Sequence, residues 1–404
     1  MTDTPVLTQF RLDFADNGLV HLIFDCPGRT MNVFSDAAID DIGAFAQWLT
    51  TADVTGVLIR SGKDNAFCAG ADLNELGVAY DMILAAAPQR RFDVAFAHFF
   101  RLSMALRLLE TAGKPVAVAI AGLALGGGCE FAMAAHYRVL VDDPKVAMGL
   151  PESLVGLLPG GGGTQRLPRL VGLEATMPIL LDGAKLSGDA ARAAGLVDRV
   201  VAPGEEIAAA EAWLLGDPQA IQPWDRDDRH VPTTAAIGAA VTPVREAVLA
   251  ATLGHYPAPF AILDCVEFGL PQVFDGAIRT EMAIFAHLIQ RPEARDMIQT
   301  QFLARTDHDR MRRKDALPDF IGEAVDVARA ALATIGDTGA LAAAGFGGAS
   351  DPKRDRTRDG YWVDTAEGAA ARAAIAHIDA AVAPIGAGRT HAERRLIDYA
   401  VVAA

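Results

Sequence analysis

Two glutamates and two clusters of glycines lie close together in the sequence between residues 121 and 165. Glu130 follows the glycine cluster at 126–128, and Glu152 precedes the cluster at 160–163. Glycine leaves backbone N–H groups accessible to a bound ligand because it has no β-carbon. Carboxylates beside accessible N–H groups favour acid–base chemistry on a substrate whose oxygen becomes negatively charged during the reaction.

A second loop could supply the other half of an oxyanion site. Residues 69–72 (AGAD) are predicted to connect a strand to a helix, so the N–H groups of the first helical turn are unpaired. Residues 126–128 make the same connection after a strand that ends near Ala121. Each loop alone is equally well explained as a tight turn that packs a helix closely. The pair of loops favours an oxyanion hole, in which two N–H groups hold one carbonyl oxygen.

Each glutamate also has a purely structural interpretation. Glu130 lies in a helix that is otherwise apolar, where a buried carboxylate is costly unless it is paired or used. Burial would raise its pKa toward the range that suits proton transfer. Glu152 follows Pro151, and taken alone it is better explained as a carboxylate that interacts with a helix dipole.

The sequence does not support other kinds of site. The run GGGGTQR lacks the Gly-Lys-Ser/Thr ending of a phosphate-binding loop, and no GxGxxG motif follows a strand. Neither the nine histidines nor the four cysteines have metal-ligand spacing. A net charge of −15 disfavours nucleic-acid binding, and we find neither a signal peptide nor an uninterrupted apolar run of membrane-spanning length. We therefore expect a cytoplasmic protein with reduced thiols, without nucleic-acid binding, membrane insertion or a bound metal.

The elements that must position these residues alternate between strand and helix. A hairpin is predicted over residues 8–25, and Ser35 is predicted to cap a helix over 36–50. Further predictions are strands at 54–62 and 114–122 and helices at 92–112, 164–181 and 187–195. This alternation, with near-continuous apolar runs in the strands, predicts an α/β domain over residues 1–215.

The rest of the chain differs in composition. Residues 216–244 begin with a Pro- and Asp-rich stretch and are predicted to be a linker. Residues 245–404 are alanine-rich and predicted to form a mainly helical extension, with a long loop at 339–368 and a last helix at about 390–403. A chain of 404 residues is long enough for two domains.

The sequence resembles the crotonase (enoyl-CoA hydratase/isomerase) superfamily in NAFCAGADLNEL, AGLALGGGCEFAMAAHYRV, LPESLVGLLPGGGGTQRLPRLVG and GAKLSGDAARAAGLVDRVV. These strings lie within a resemblance over about residues 8–205. Residues 245–300 are further similar to the segment after the hydratase part of multifunctional fatty-acid oxidation α-subunits, and residues 339–404 to part of their helical C-terminal region. The resemblance implies a spiral of ββα units that binds acyl-CoA, followed by a mainly α-helical extension.

The resemblance also implies roles for individual residues. The backbone N–H groups of Ala71 and Gly127 match the oxyanion hole of the family. Glu130 and Glu152 match the two glutamates that handle water and the Cα proton. Gly160 matches a backbone position next to the catalytic water.

A separate group of residues is expected to contact the coenzyme A part of the substrate. These residues are Arg29, Ala69, Asp72 and Leu73. Arg29 is equally well explained as an ordinary surface charge, and Asn74 stands where some hydratases have a lysine near the adenine end of CoA. Because coenzyme A is part of the substrate, no separate cofactor is expected.

The implied reaction is syn addition of water across a 2,3-trans-enoyl-CoA, which gives a 3-hydroxyacyl-CoA in fatty-acid β-oxidation. Three alternatives stay open: Δ3-Δ2-enoyl-CoA isomerisation, acyl-CoA hydrolysis in the same fold, and acyl-CoA binding without catalysis by a remnant of an oxidation complex. Relatives assemble as homotrimers or pair with a thiolase, so either partner is expected here; a monomer stays open as an alternative, with the extension packed where a neighbouring subunit's helix would lie. The NAD-binding fingerprint of the multifunctional relatives is missing, and no dehydrogenase activity is expected.

Overall fold

The computed structural model describes residues 4–64, 66–252, 254, 256–335 and 366–403. Packing divides the chain into two compact units. The first unit consists of residues 1–242 and 258–291, and the second of residues 243–257 and 292–404. All the residues predicted to form the active site lie in the first unit.

The first unit contains two β-sheets. Its strands are β1 (Phe10–Phe14), β2 (Leu19–Phe24), β3 (Gly56–Ser61), β4 (Ala66–Cys68), β5 (Val116–Ile120), β6 (Leu123–Leu125), β7 (Tyr137–Val141), β8 (Met148–Gly149), β9 (Lys185–Leu186) and β10 (Arg199–Val201). The large sheet has the order β1-β2-β3-β5-β7-β10, and the small sheet has the order β4-β6-β8-β9. The pair β1–β2 is the predicted antiparallel hairpin, and the other pairs of the large sheet are parallel. In the small sheet β4, β6 and β8 are parallel, and β9 is antiparallel to β8.

Helices alternate with these strands and continue along the chain to Leu288. They are α1 (Asp36–Leu49), α2 (Leu73–Ala85), α3 (Arg91–Glu110), α4 (Gly127–Met133), α5 (Gly163–Val171), α6 (Leu173–Asp182), α7 (Gly188–Ala193), α8 (Glu206–Leu214), α9 (Thr234–Thr252), α10 (Pro257–Gly269) and α11 (Phe274–Leu288). Ser35 caps α1 as predicted, because its hydroxyl accepts a hydrogen bond from the N–H of Ala38 at 3.2 Å. The single helix predicted over 164–181 is instead the pair α5 and α6, because Gly172 between them has a φ of 80°.

A strand of the large sheet is followed repeatedly by a strand of the small sheet and then by a helix. The repeats are β3-β4-α2, β5-β6-α4 and β7-β8-α5. The strands of the large sheet are apolar, as in β5 (VAVAI), where all five residues are buried. This is the spiral of ββα units that the resemblance implies, so the predicted α/β fold is confirmed.

The segment predicted to be a linker, residues 216–244, is anchored in the first unit. Trp224 is buried, and the buried Gln222 donates a hydrogen bond to the carbonyl oxygen of Ala134 at 2.9 Å. Asp225 forms an ion pair with Arg107 at 2.7 Å. The Pro- and Asp-rich composition indicated an open connection, but these buried and paired side chains hold part of it against the domain.

The packing also divides the chain differently from the predicted boundaries. The helix α9 begins at Thr234, inside the predicted linker. Residues 258–291 belong to the first unit, although they were predicted to lie in the extension 245–404. The helical character predicted for this part of the chain is confirmed where the structure describes it, and the domain boundaries at 215 and 244 stay predictions.

The second unit is helical in its described part. It contains residues 243–252 of α9, α12 (Pro292–Met297), a π-helix (Ile298–Ala304), α13 (Arg305–Arg313), α14 (Asp319–Ala333), α15 (Ala366–Gly386) and α16 (His391–Ala403). Its core is a cluster of buried apolar side chains from α14, α15 and α16: Ile321, Ala324, Ala328, Val382, Leu396, Ile397 and Ala400. The last predicted helix is confirmed as α16. The loop predicted at 339–368 lies outside the described residues as far as residue 365, and its last three residues, 366–368, belong to α15 instead.

Among the described residues, α9 alone is long and apolar enough to cross a membrane by length and composition. An 18-residue stretch of α9 has a mean hydropathy of 1.2, and 11% of that stretch is buried. Helices that never enter a bilayer meet the same criteria, and α9 contains Pro243, Arg245 and Glu246. The expected lack of membrane insertion therefore stays a prediction.

Candidate active site

The small sheet brings the predicted site residues together. Residues 69–72 follow β4, residues 126–128 follow β6, and Glu152 comes shortly after β8. These three strands are parallel neighbours, so their carboxyl ends lie at the same edge of the sheet. Loops that are far apart in the sequence therefore meet at this edge.

The two predicted oxyanion loops lie against each other. A β-carbon built on Gly70 would lie 3.2 Å from the carbonyl oxygen of Leu125 and 3.8 Å from the α-carbon of Gly126. Gly70 has a φ of 102° and Gly126 a φ of 54°, which are values that favour glycine. The close approach of the two loops therefore depends on both glycines.

The N–H groups of Ala71 and Gly127 lie where each loop enters its helix. Phe34 forms hydrogen bonds with the carbonyl of Gly70 and the N–H of Asp72, on either side of Ala71. In such a parallel bridge the N–H of Ala71 points away from Phe34. Gly127 is the first residue of α4, so its N–H has no acceptor within that helix. The backbone therefore leaves both N–H groups available to other acceptors, and their role in an oxyanion hole stays a prediction.

Glu130 is buried and held by the second glycine cluster. Its Oε1 atom accepts hydrogen bonds from the N–H groups of Gly161 and Gly163, both at 2.7 Å. A β-carbon on Gly161 would lie only 2.6 Å from Glu130 Oε2, so the carboxylate fits here because residue 161 is a glycine. Burial raises the pKa of Glu130, and the two N–H donors limit that increase by stabilising the carboxylate.

The carboxylate of Glu152 has a different environment. Its Oε2 atom is buried and has no hydrogen-bond partner among the described residues. Burial raises the pKa of Glu152 well above its ordinary value, and the nearby charges of Glu130 and Glu281 raise it further. A buried carboxylate oxygen without a partner is costly to the fold and is typical of a functional site.

Glu281 is a third buried carboxylate beside these two, and it was not predicted from the sequence. Its Oε1 atom accepts a hydrogen bond from the N–H of Gly162 at 2.6 Å. Its Oε2 atom accepts from the N–H and the hydroxyl of Thr164, at 2.9 and 2.5 Å. Burial and the charge of Glu130 raise the pKa of Glu281 to about 8.

A signal for Glu281 is nevertheless present in the sequence. The buried residues Phe274, Ile278, Met282 and Phe285 follow one another at helical spacing in α11, and Glu281 lies on the same face. A carboxylate inside an apolar face must be paired or functional. This criterion singles out Glu281 without a structure, but it does not reveal the partners of the carboxylate.

A buried ion pair supports the glycine loop that holds Glu130. The side chains of Arg166 and Glu110 are fully buried, and Arg166 Nε lies 2.6 Å from Glu110 Oε1. Arg166 also donates a hydrogen bond to the carbonyl oxygen of Gly161, and Arg107 pairs with Glu110 at 3.3 Å. The pair therefore connects the end of α3 to the loop at residues 160–163.

Gly160 lies at the beginning of this loop. Its carbonyl oxygen accepts a hydrogen bond from the hydroxyl of Ser103 at 3.3 Å. A β-carbon on Gly160 would lie 3.3 Å from the ring of Phe285. The backbone of Gly160 is therefore fixed from two sides, and its position beside a catalytic water stays a prediction.

Two of the residues predicted to contact coenzyme A form an ion pair with each other. Arg29 Nη2 lies 2.5 Å from Asp72 Oδ2, and Asp72 Oδ1 accepts a hydrogen bond from the N–H of Asn74 and so caps α2. Both oxygens of Asp72 are thus engaged within the protein. The side chain of Arg29 is 44% exposed, so its guanidinium can also reach a phosphate.

Ala69 and Leu73 are also predicted to contact coenzyme A; Ala69 is the first residue of the predicted oxyanion loop 69–72, and Leu73 follows that loop. Ala69 donates its N–H to the carbonyl of Asn32 at 2.9 Å, and Leu73 is the first residue of α2. Both residues are half-buried. Their contact with the substrate stays a prediction.

Comparison with known proteins identifies the family. Residues 15–215 match the family model described as enoyl-CoA hydratase/isomerase. The chain belongs to the enoyl-CoA hydratase/isomerase family. Glu130, Glu152 and the two predicted oxyanion loops lie within the matched region of this family member. The resemblance to the crotonase superfamily is confirmed.

Curated relatives of this enoyl-CoA hydratase/isomerase family member match it beyond that region. The fatty acid oxidation complex subunit alpha of Shewanella frigidimarina is 33% identical over 302 residues, which cover 74% of this chain and 41% of the relative. The protein of the same name from Shewanella loihica is 34% identical over 322 residues, which cover 79% of this chain and 44% of the relative. The chain therefore spans less than half the length of these relatives.

A solved structure has a fold similar to that of this chain. The crystal structure of enoyl-CoA hydratase from Bacillus halodurans aligns with 72% of this chain and 99% of that chain, with a TM-score of 0.51. The two sequences are 15% identical, so the likeness shows the fold alone.

Proposed function

We propose that this protein is an enoyl-CoA hydratase that adds water syn across a 2,3-trans-enoyl-CoA and gives a 3-hydroxyacyl-CoA in fatty-acid β-oxidation. The observation that carries the proposal is the pair of buried carboxylates, Glu130 and Glu152, in different environments beside loops 69–72 and 126–128. Two such carboxylates provide a base and an acid for one addition reaction. The names of the curated relatives support a place in fatty-acid oxidation.

The two environments favour different roles for the glutamates. Glu130 accepts two backbone hydrogen bonds, which stabilise its ionised form, so it acts as the general base on water. Glu152 has no partner at Oε2, and burial and its acidic neighbours favour its protonated form, so it acts as the general acid. Environments that separate two carboxylates in this way define acid and base assignments.

The proposed reaction proceeds at C2 and C3 of the thioester. Glu130 removes a proton from water while the water oxygen bonds to C3, and the π electrons move toward the thioester carbonyl. Negative charge collects on the carbonyl oxygen, where the N–H groups of Ala71 and Gly127 stabilise it by ~3 kcal/mol each. Glu152 then gives its proton to C2 on the same face. Proton exchange with solvent restores Glu130 to its ionised form and Glu152 to its protonated form.

Isomerisation of a 3-enoyl-CoA is the second reaction that this site supports. Moving the double bond requires a proton to leave one carbon and return to another, and Glu152 has an unpaired oxygen for such a transfer. Acyl-CoA hydrolysis and binding without catalysis are the remaining alternatives.

Turnover of purified protein with defined thioesters separates these functions. Hydration of short-, medium- or long-chain trans-2-enoyl-CoA gives a product heavier by one water, which mass spectrometry detects. Isomerisation of 3-enoyl-CoA leaves the mass unchanged, and hydrolysis releases the free thiol of coenzyme A. Failure to hydrate any of the trans-2-enoyl-CoA substrates would overturn the proposal.

We also propose that the protein acts in the cytoplasm, as a homotrimer or with a thiolase partner. The similarity to relatives that are named as subunits of an oxidation complex supports a partner protein, whereas the homotrimer rests on the family resemblance alone. Light scattering during size-exclusion chromatography measures the assembly of the protein alone, and co-elution with a purified thiolase tests the second arrangement. A monomer that does not co-elute would contradict both.

A further inference from the structure

The four consecutive N–H groups of residues 161–164 are divided between two carboxylates. Glu130 accepts from the first and third N–H groups, both at 2.7 Å. Glu281 accepts from the second and fourth, at 2.6 and 2.9 Å. The two glutamates bind alternate N–H groups of residues 161–164. A backbone shift at one carboxylate therefore also displaces the N–H donors of the other carboxylate.

The neighbouring side chains of α11 pack on the same run. A β-carbon on Gly160 would lie 3.3 Å from the ring of Phe285, and one on Gly162 would lie 3.4 Å from Ile278 Cγ2. Glu281 is fully buried on this face of α11. Helix α11 therefore holds residues 160–164, here called the glycine run, through apolar packing as well as through hydrogen bonds.

We propose that Glu281 is a positioning residue for the hydration reaction, which holds the glycine run in the geometry that orients Glu130 toward the catalytic water. This inference rests on the proposed function. Glu281 lies outside residues 15–215, where the family model matches, so a segment beyond the family region completes the active site of this chain.

The backbone of the run gives a physical reason for this role. In Glu281→Gln the amide oxygen can accept from only one of the N–H groups of Gly162 and Thr164, and the amide NH2 faces the other, so one buried N–H group loses its partner at a cost of ~1–3 kcal/mol. The backbone of the glycine run would then rotate toward other acceptors, and this rotation would displace the N–H groups of Gly161 and Gly163 that bind Glu130. A displacement of ~1 Å at a catalytic group can reduce the rate by ~100-fold.

Several charged or titratable groups surround Glu281. They are Glu130 on α4, Glu152 after β8, Arg166 and Arg169 on α5, and Cys265 on α10. The negative charge of Glu281 raises the pKa of Glu152, so removing that charge lowers it. Glu152 then loses its proton at lower pH, and the fall of kcat/KM at alkaline pH begins earlier.

The first test compares Glu281→Gln, Glu281→Asp and the control Glu174→Gln, in which an exposed glutamate of α6 is changed. We expect Glu281→Gln to lower kcat by ~10- to 100-fold with KM changed by less than about threefold, because Glu281 is fully buried and is proposed to act through Glu130. We expect the alkaline fall of kcat/KM in Glu281→Gln to begin at lower pH than in the wild type. Glu281→Asp should lower kcat but leave the alkaline fall of kcat/KM at the same pH, because aspartate keeps the negative charge. The inference would be overturned if Glu281→Gln had the same kcat and the same alkaline fall of kcat/KM as Glu174→Gln.

The second test does not depend on turnover, so it separates failure of this inference from failure of the proposed function. Protein with 13C at the glutamate carboxylates is titrated by NMR, and Glu130→Gln identifies the Glu130 resonance by its loss. We expect the titration midpoint of Glu130 to change in Glu281→Gln and to stay the same in Glu174→Gln. An unchanged Glu130 midpoint in Glu281→Gln would overturn the positioning role even if the wild type hydrates no enoyl-CoA.

A milder pair of variants covers the case in which Glu281→Gln does not fold. Thr164→Val removes only the hydroxyl donor to Glu281, whereas Thr164→Ser keeps it. We expect Thr164→Val to lower kcat in the same direction as Glu281→Gln, and Thr164→Ser to remain within about twofold of the wild type. Equal kcat values for the two variants would contradict the inference.

Discussion

Glu152 Oε1 lies 3.0 Å from the position that a β-carbon on Gly126 would occupy. Gly126 also has a φ of 54° and a ψ of −128°, a conformation that residues with side chains rarely adopt. Gly126 therefore turns the chain into α4 and also leaves space for the carboxylate of Glu152. Since Gly126 contacts Gly70 of the other loop, this one position controls how closely the acid and the predicted oxyanion hole approach each other.

Gly126→Ala should therefore impair the site as well as the fold. We expect kcat for hydration to fall by at least ~10-fold, and the free energy of unfolding to fall by ~1–3 kcal/mol because of backbone strain. Urea unfolding and steady-state kinetics measure the two effects. Gly113→Ala is the matched control, because Gly113 has a φ of 78° and its β-carbon would meet nothing within 4 Å. This control should lose stability but keep its kcat, and a fully active Gly126→Ala would contradict the proposed geometry.

Glu130→Gln and Glu152→Gln should each lower kcat by ~100-fold or more, because each removes a group that transfers a proton. We expect the double variant to be little worse than either single variant, because the two glutamates act as one unit. The exposed Glu174→Gln serves as the control. Full additivity of the two losses, or wild-type activity in either variant, would show that the two-carboxylate assignment is wrong.

The sequence was sufficient to locate the glutamates and loops but not the sheet that joins them. The glycines and carboxylates form local patterns, and the family strings contain all of them. The strands of the small sheet are two or three residues long, as in Met148–Gly149, so no alternation of apolar and polar residues can reveal them. Their pairing is set by tertiary packing alone.

Long-range partners explain the other differences. The Glu281 carboxylate and the N–H of Gly162 are 119 residues apart, and no local pattern joins them. Asp72, which is predicted to contact coenzyme A, caps α2 and pairs with Arg29, and its contact with the substrate stays a prediction. An aspartate immediately before a helix is typical of an N-cap, so this role could have been inferred from the sequence.

Arg29→Gln tests the contact that the resemblance implies with coenzyme A. We expect KM for enoyl-CoA to rise about tenfold with little change in kcat, because a charge-assisted hydrogen bond to a phosphate is lost away from the reacting atoms. Arg90→Gln is the control, since Arg90 is 72% exposed and pairs with Asp93. Equal KM values for the two variants would show that Arg29 serves only to hold Asp72.

Arg166→Leu should destabilise the first unit more than a surface substitution does. It leaves the buried carboxylate of Glu110 with only Arg107 as its partner, so we expect the free energy of unfolding to fall by ~3–5 kcal/mol. Arg11→Leu removes an exposed pair with Asp25 and should cost less than ~1 kcal/mol. Urea unfolding measured by tryptophan fluorescence compares the two. A loss for Arg166→Leu as small as that for Arg11→Leu would contradict a structural role for the buried pair.

The stability of the protein should decrease as pH rises, in part because of Glu281. Its pKa is raised from 4.5 to about 8 in the folded state, so between these values the folded protein binds more protons than the unfolded chain. The stabilisation is complete below the unfolded pKa and is lost as pH rises through the folded pKa, with a slope of up to ~1.4 kcal/mol per pH unit. Glu281→Gln removes this contribution, so its free energy of unfolding should vary less with pH than that of the wild type or Glu174→Gln. Urea unfolding at several pH values from about 5 to 8 measures the slopes, and equal slopes for all three proteins would show that the pKa of Glu281 is not raised.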